Sequence, residues 1–119
     1  MALYTGGCHC GRVRFEVEGA LERVSECNCS ICSKAAYLHW RVAPEQLRLI
    51  TPWAELTNYK WGTGRASHYF CKNCGVAVLR HPRGAPEQFS VNARCIDEFD
   101  SSSVEIAHID GKSLPLEVE

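Results

Sequence analysis

Three clusters of cysteines constrain this chain more than any other feature. Seven of its eight cysteines lie in the segments Cys8-His9-Cys10, Cys27-Asn28-Cys29-Ser30-Ile31-Cys32 and Cys71-Lys72-Asn73-Cys74. A disulfide requires Cα atoms roughly 4.4–6.8 Å apart with opposed Cβ vectors, and thiols one or two residues apart rarely satisfy both conditions without strain. A metal ion can accept all of them, because a tight turn directs its thiolates at one point. The clusters therefore predict a zinc protein.

The number of clustered thiols predicts two kinds of zinc site. Four thiolates close a tetrahedral structural site, whereas three leave one position open for chemistry. Spacing alone does not fix which clusters combine, but the two short-spaced pairs make the only clean set of four: Cys8, Cys10, Cys71 and Cys74, here the four-cysteine group. The middle cluster then supplies the three-cysteine group: Cys27, Cys29 and Cys32. The alternative is a single zinc, with the middle cysteines free or oxidised.

Length and charge narrow the class of protein. A chain of 119 residues predicts one domain, residues 1–119, with a thin core. The formal net charge of −1 gives no basic excess for nucleic acid, and no apolar stretch is long enough for a membrane span. The segment 1–5 has no signal-peptide core, so we expect a cytoplasmic protein. Thiols stay reduced in the cytoplasm, so the clustered cysteines are more typical of metal ligands than of the disulfides of a secreted protein.

Short alternating apolar segments predict an all-β fold pinned by metal. Val13, Phe15 and Val17 share one face of a half-buried strand that ends at Gly19. Seven further segments have strand character: 37–42, 47–50, 56–61, 67–70, 76–79, 89–93 and 104–108. Short helical turns are expected at 30–35 and 44–47. No window carries a long 3.6-residue period.

Residues outside the clusters carry weaker signals. His39 and His68 lie in predicted strands, where a satisfied structural histidine is the favoured interpretation over a proton-transfer role. Four cations could pair with substrate carboxylates, although a solvated surface role is favoured for each: Lys34, Arg41, Arg65 and Arg94. Cys95 stands alone and is expected to be a small buried residue. A position near the second zinc is its alternative.

The cysteine segments, in this order, resemble a known family. The matching segments are Gly6-Gly7-Cys8-His9-Cys10-Gly11, then Cys27-Asn28-Cys29-Ser30-Ile31-Cys32, then Phe70-Cys71-Lys72-Asn73-Cys74-Gly75. They resemble the glutathione-dependent formaldehyde-activating enzyme family, which also includes the centromere protein V type. The resemblance spans about residues 4–112, and the order of the three clusters is its specific element.

The resemblance implies a fold, two zinc ions and an activity. The fold would consist of antiparallel sheets of the Mss4-like β-tent type. A structural zinc would bind to the four-cysteine group. A second, catalytic zinc would bind to the three-cysteine group, where a thiol substrate such as glutathione binds. The implied activity is that of a carbon–sulfur lyase acting on a small thiol/aldehyde adduct such as S-hydroxymethylglutathione. The chain lacks the basic extensions of the centromere type, so no chromatin partner is predicted.

Two other functions remain open from the sequence. A methionine sulfoxide reductase-like enzyme would use Cys95, in Arg94-Cys95-Ile96-Asp97, as its nucleophile, but it would leave the middle cluster unexplained. A non-catalytic zinc module would bind a protein partner, as Mss4-like proteins do, through an exposed apolar patch. Two bound zinc ions would favour the lyase, and one would favour either alternative.

Overall fold

The fold is built from short strands joined by turns. The computed structural model describes residues 2–60, 64, 66–82 and 85–113, with Lys112 described by its backbone alone. Within them lie the strands β1 Ala2–Gly7, β2 Arg14–Gly19, β3 Arg23–Cys27, β4 Leu38–Val42, β5 Leu47–Leu49, β6 Leu56–Tyr59, β7 Ser67–Cys71, β8 Ala77–His81, β9 Phe89–Asn92 and β10 Glu105–Ile109. The helix α1 is Ser30–Ala35, and 3₁₀ turns lie at Pro44–Gln46, Trp53–Glu55, Ala93–Cys95, Ser101–Ser103 and Gly111–Ser113.

The strands form two sheets, which confirms the predicted fold class. One sheet has the order β1-β2-β5, and the other has the order β10-β3-β4-β9-β8-β7-β6. Neighbouring strands are antiparallel, with the exception of β10, which pairs parallel to β3. The prediction of purely antiparallel sheets missed this pair. Parallel partners are joined by a long connection and therefore leave no turn signal in the sequence.

Side chains from both sheets form one core. The predicted face of Val13, Phe15 and Val17 is fully buried. It joins residues of the larger sheet, among them Trp40 on β4, whose ring lies edge-on to Tyr4 with centroids 5.5 Å apart. Full burial of such a side chain contributes about 1.5–3 kcal/mol to stability. The core therefore holds the two sheets face to face.

Two strands were not predicted, and both have weak side-chain patterns. In β1 only Gly6 is buried, and β3 buries Val24 alone. Their strand conformation comes from backbone pairing, β1 with β2 and β3 with both β4 and β10. The short helical segments at Ser30–Ala35 and Pro44–Gln46 are confirmed. The predicted strand 56–61 is observed to Tyr59, and Trp61 lies outside the described residues.

The fold delivers the cysteine clusters to two places. The turn after β1 carries Cys8 and Cys10. Cys71 is the last residue of β7, and Cys74 lies in the turn that connects β7 to β8. The first turn connects strands of the smaller sheet, and the second connects strands of the larger sheet. The middle cluster spans the end of β3 and the start of α1. No helix in the described ranges is long and apolar enough to cross a membrane.

Candidate metal centres

The four-cysteine group gathers its sulfurs with the spacing of a zinc site. All four sulfurs lie within 4.8 Å of one another. The Sγ–Sγ distance is 3.6 Å between Cys8 and Cys10 and 3.7 Å between Cys10 and Cys71. Zinc–sulfur bonds of about 2.3 Å in a tetrahedron separate the sulfurs by roughly 3.8 Å. The group therefore fits a zinc ion in donor type, number and size.

Backbone geometry turns each pair of this group inward. Gly11 and Gly75 follow the two pairs with φ of 85° and 82°, in the left-handed region that favours glycine. The amide of Val13 donates to Cys8 Sγ at 3.3 Å. The amides of Asn73 and Cys74 donate to Cys71 Sγ at 3.3 and 3.4 Å. These turns aim amide protons at the sulfurs and favour the thiolate form that binds metal.

The pKa values of this group follow their hydrogen bonds and burial. A hydrogen bond from the amide of Val76 is the main cause that lowers the pKa of Cys74 to about 6. A hydrogen bond from the Asn73 side chain is the main cause that lowers the pKa of Cys10. Burial raises the pKa of Cys71. The hydrogen bonds to Cys10 and Cys74 therefore favour the thiolate form that binds metal.

The three-cysteine group lies where β3 passes into α1. Its sulfurs also lie within 4.8 Å of one another. Cys29 is the N-cap residue of α1, and its sulfur accepts the amide proton of Cys32 at 3.4 Å. Burial acts to raise the pKa of Cys29, but this hydrogen bond and those from neighbouring groups outweigh it, so the pKa is lowered. The turn into the helix thus brings three thiols to one point.

Two side chains from the larger sheet, buried Arg80 and half-buried His39, contact Cys32. Arg80 Nη1 on β8 donates to Cys32 Sγ at 3.0 Å. His39 Nε2 on β4 lies 3.3 Å from the same sulfur, and His39 Nδ1 lies 2.8 Å from Ser90 Oγ. Burial, followed by the charge of Arg80, lowers the pKa of His39 to about 3, so its ring is neutral at pH 7. Cys32 itself is buried, which raises the pKa of its thiol, while Arg80 opposes the rise.

A glycine and a cavity border the other side of the group. A side chain at Gly111, which follows β10, would meet Cys27 Sγ and would lie 3.3 Å from Cys29 Cβ. A cavity of about 440 Å³ opens beside Cys27. Its wall includes Tyr37 and several polar side chains, among them Glu26, Asn28, Ser33, His108 and Asp110. Through Cys27, the three-cysteine group therefore borders space of the size that small-molecule sites use.

The structure brings together the predicted cysteines and leaves Cys95 apart. Among the described residues, Cys95 joins neither group, and its Sγ lies 3.5 Å from the carbonyl oxygen of Ala77. Burial is the main cause that raises its pKa to about 12. Cys95 is half-buried rather than fully buried, so the predicted burial is only partial, but its position outside both groups agrees with a residue that binds no metal. A thiol with this pKa is a weak nucleophile at neutral pH, which argues against the reductase-like alternative.

The other candidate residues have mixed outcomes. His39 is half-buried and lies 2.8 Å from Ser90 Oγ, as expected for a structural histidine, but it also contacts the three-cysteine group. His68 is half-buried, and burial followed by the charge of Arg80 lowers its pKa to about 4. Arg94 donates from Nε to the carbonyl of Ala36, a residue that lines the cavity. Arg65 lies outside the described residues.

Arg80 is the residue that sequence reasoning missed. The predicted strand ended at Leu79, which left Arg80 outside it, whereas β8 runs to His81. Side chains alternate along a strand, so Arg80 shares a face with buried Val78. A charged residue two positions from a buried valine, inside one strand, is the signal that could have identified it.

Comparison with known proteins agrees with these features. The sequence model of the glutathione-dependent formaldehyde-activating enzyme family matches residues 3–109. A Rhodobacter sphaeroides protein of known crystal structure, a structural genomics target, is 30% identical. The alignment covers 87% of this chain and 99% of that one, with a TM-score of 0.77. With two groups of clustered cysteines in a mostly β fold, the chain belongs to the glutathione-dependent formaldehyde-activating enzyme family.

Proposed function

We propose that this protein is a zinc-dependent carbon–sulfur lyase that acts on a small thiol/aldehyde adduct such as S-hydroxymethylglutathione. One observation carries the proposal: three cysteine sulfurs converge and one of them, that of Cys27, belongs to a residue that lines a cavity, whereas the other four cysteines form a complete ligand set. Three protein ligands are the number that catalytic zinc sites use. In this proposal Cys27, Cys29 and Cys32 hold the catalytic zinc, and the four-cysteine group holds the structural zinc.

The reaction needs a thiol sulfur and an aldehyde carbon close together. Zinc in the three-cysteine group would supply a lowered pKa for an incoming thiol. In the forward direction the sulfur forms a bond to the aldehyde carbon, and the carbonyl π electrons move to the oxygen. That oxygen takes up one proton, which balances the proton lost by the thiol. In reverse, the carbon–sulfur bond breaks and the sulfur regains its proton.

The side chains around the cavity would bind and shield the reactants. The cavity volume of about 440 Å³ lies within the range of small-molecule sites. The His108 ring lies 3.2 Å from Glu26, and both line the cavity. The Glu26 carboxylate, the His108 ring and the Asn28 side chain give an entering molecule polar partners. Tyr37 is fully buried and forms an apolar wall that limits water access.

The proposal also covers the domain organisation of the protein, its location and its thiol substrate. We infer one zinc-binding domain that comprises residues 1–119, because the two sheets share a single buried core. A cytoplasmic location would supply the reduced thiols that this activity needs. Glutathione is the thiol that the family description names. Smaller thiols with the same reactive group also fit the proposed chemistry.

The proposal can be tested with the purified metal-loaded protein. Metal quantification under reducing conditions should give two zinc ions per chain. Adduct formation from formaldehyde and either glutathione or cysteine, followed by NMR, should be faster than without protein at equal zinc concentration. A single zinc per chain, or rates equal to the zinc control for every thiol, would reject the lyase in favour of a non-catalytic module.

A further inference from the structure

We propose that Arg80 is a positioning residue that makes the three-cysteine group prefer an anionic thiolate over a neutral molecule as its fourth ligand. The inference rests on the proposed function and names the property that selects its substrate class. It follows from where the guanidinium lies, what pairs with it, and how the charge of the group changes when a thiol binds.

The charge of Arg80 is buried and fixed in place. The residue is 3% exposed and lies on β8 inside the larger sheet. Its guanidinium carbon lies 3.9 Å from the centre of the Tyr37 ring. The Tyr37 hydroxyl donates to the carbonyl of Ser90 at 2.6 Å, which holds that ring in place. The guanidinium therefore has one orientation, and in it Nη1 reaches Cys32 Sγ.

The sulfur of Cys32 is the acceptor that this cation faces. The ion pairs found between described residues do not include Arg80. Its Nε is buried without a hydrogen-bond partner in the same part of the chain. A buried cation costs several kcal/mol unless a negative group pairs with it. In the metal-loaded group, the thiolate of Cys32 supplies that negative charge.

Charge counting shows why Arg80 would favour a thiolate. Three thiolates around a divalent zinc carry a net charge of about −1, and a fourth thiolate makes it about −2. A neutral fourth ligand leaves the charge unchanged. A fixed cation stabilises the more negative state more strongly, in proportion to the charge.

The test compares two ligands on the cobalt-loaded protein. Thiol binding is followed by the sulfur-to-cobalt charge-transfer band with 2-mercaptoethanol, and neutral-ligand binding is followed by the cobalt spectrum with imidazole. In Arg80→Met the Kd for 2-mercaptoethanol should rise roughly 10- to 100-fold, while the Kd for imidazole changes less than about threefold. Arg80→Lys should fall between, because it keeps the charge but loses the planar fork.

The matched control is Arg48→Met, which removes an arginine that is 77% exposed at its side chain. It should change neither Kd. If thiol and imidazole binding weaken equally in Arg80→Met, Arg80 has a purely structural role and the inference is overturned. Unchanged thiol affinity overturns it as well. In either case the proposed function stands if the cobalt spectrum of the wild-type protein responds to the thiol. If the wild-type spectrum responds to neither 2-mercaptoethanol nor imidazole, both the role of Arg80 and the proposed function are rejected.

A measurement on the unmodified protein keeps the inference testable if Arg80→Met does not fold. A buried cation is screened little by salt, whereas exposed charges are screened strongly. Thiol affinity of the wild-type protein should therefore stay within about threefold between 0.02 M and 0.5 M sodium perchlorate. A steep fall in affinity would assign the preference to surface cations instead and would overturn the role of Arg80.

Discussion

The four-cysteine group and the three-cysteine group use the same ligand atom, yet the fold surrounds them differently. The four-cysteine group joins turns from two sheets, and backbone amides donate to its sulfurs. The three-cysteine group lies within one local segment, and side chains from β4 and β8 contact it. A cavity opens beside the second group.

This difference separates two uses of a metal ion. A ligand set that bridges two sheets makes metal binding part of folding, because neither sheet alone can complete it. A ligand set contained in one segment can lose its metal while the sheets remain packed. In the proposed function, a buried charged side chain such as Arg80 would then adjust the chemistry of the ion in addition to any role in folding. Each substitution below breaks or sharpens this contrast.

The largest expected effect is that of Cys71→Ser. Cys71 is fully buried, and its Sγ lies 3.7 Å from the Sγ of Cys10 in the other pair of the four-cysteine group. Structural zinc contributes roughly 10–16 kcal/mol in finger peptides, which matches or exceeds the whole stability of a small domain. The variant should therefore be insoluble or should lack a cooperative thermal transition by circular dichroism.

The control for this variant is Lys72→Ala, which alters an exposed residue of the same turn. It should fold and retain both metal ions. A soluble Cys71→Ser protein that unfolds cooperatively and keeps its full zinc content would refute the structural role of the four-cysteine group.

Cys29→Ser should have a large effect on metal and activity but a small effect on folding. The residue caps α1, and serine preserves the capping hydrogen bond from the amide of Cys32. The variant should fold, lose about one metal ion per chain, and lose turnover of thiol/aldehyde adducts. Ser30→Ala, an exposed change in the same helix, should keep both metals. Equal metal content in the two variants would contradict the assignment.

Chelator kinetics compare the two groups in the unmodified protein. An open site lacks one protein ligand, so its metal should leave first when a chelator is added. Release monitored with a colorimetric chelator should show two phases, and Cys29→Ser should remove the fast one. A single phase would contradict the expected difference between the groups, and loss of the slow phase in that variant would show that the two groups have been assigned the wrong way round.

Gly111→Ala should have an intermediate effect restricted to the three-cysteine group. The added methyl group would meet Cys27 Sγ, so either the sulfur or the turn after β10 must move. Substitutions that displace a metal ligand, or a residue that orients one, typically lower metal affinity about 10- to 100-fold. Ser113→Ala is the matched control, because it changes the same turn and removes a 2.7 Å hydrogen bond to Asp110. Competition with a chelator measures both affinities.

Local patterns explain what the sequence could predict. The alternation of Val13, Phe15 and Val17 predicted a buried face, and the spacing of the cysteines predicted two ligand groups. Both signals act over a few residues, so they are readable without the fold. The combination of the pairs 8/10 and 71/74 was also within reach, because the count of ligands leaves few ways to close a tetrahedron.

Long-range pairing explains what the sequence could not predict. Strand β3 buries one side chain and is fixed by its two neighbours, of which β10 arrives parallel from far along the chain. Arg80 and His39 reach Cys32 from strands that are 48 and 7 residues away in sequence. No local pattern encodes such distances. The residues that adjust the three-cysteine group were therefore the part that required the structure.

The smallest expected effect is that of Cys95→Ala, which tests whether this thiol lies outside both groups. Its Sγ is half-buried and lies near the carbonyl of Ala77 rather than among the clustered sulfurs. The variant should keep two metal ions and should lose about 1–3 kcal/mol in the free energy of unfolding at pH 7, a packing cost. Loss of one metal ion would make Cys95 the fourth ligand of a group.

The pH dependence of this difference sharpens the test. Burial raises the folded-state pKa of Cys95 to about 12, whereas an unfolded thiol titrates near 8.5. Above pH 8.5 the unfolded chain therefore loses this proton while the folded chain retains it, and the stability contributed by Cys95 falls as pH rises. The stability gap between wild type and Cys95→Ala should narrow by about 1 kcal/mol between pH 7 and 9.5. A constant gap would mean that the folded protein ionises this thiol as readily as the unfolded chain does.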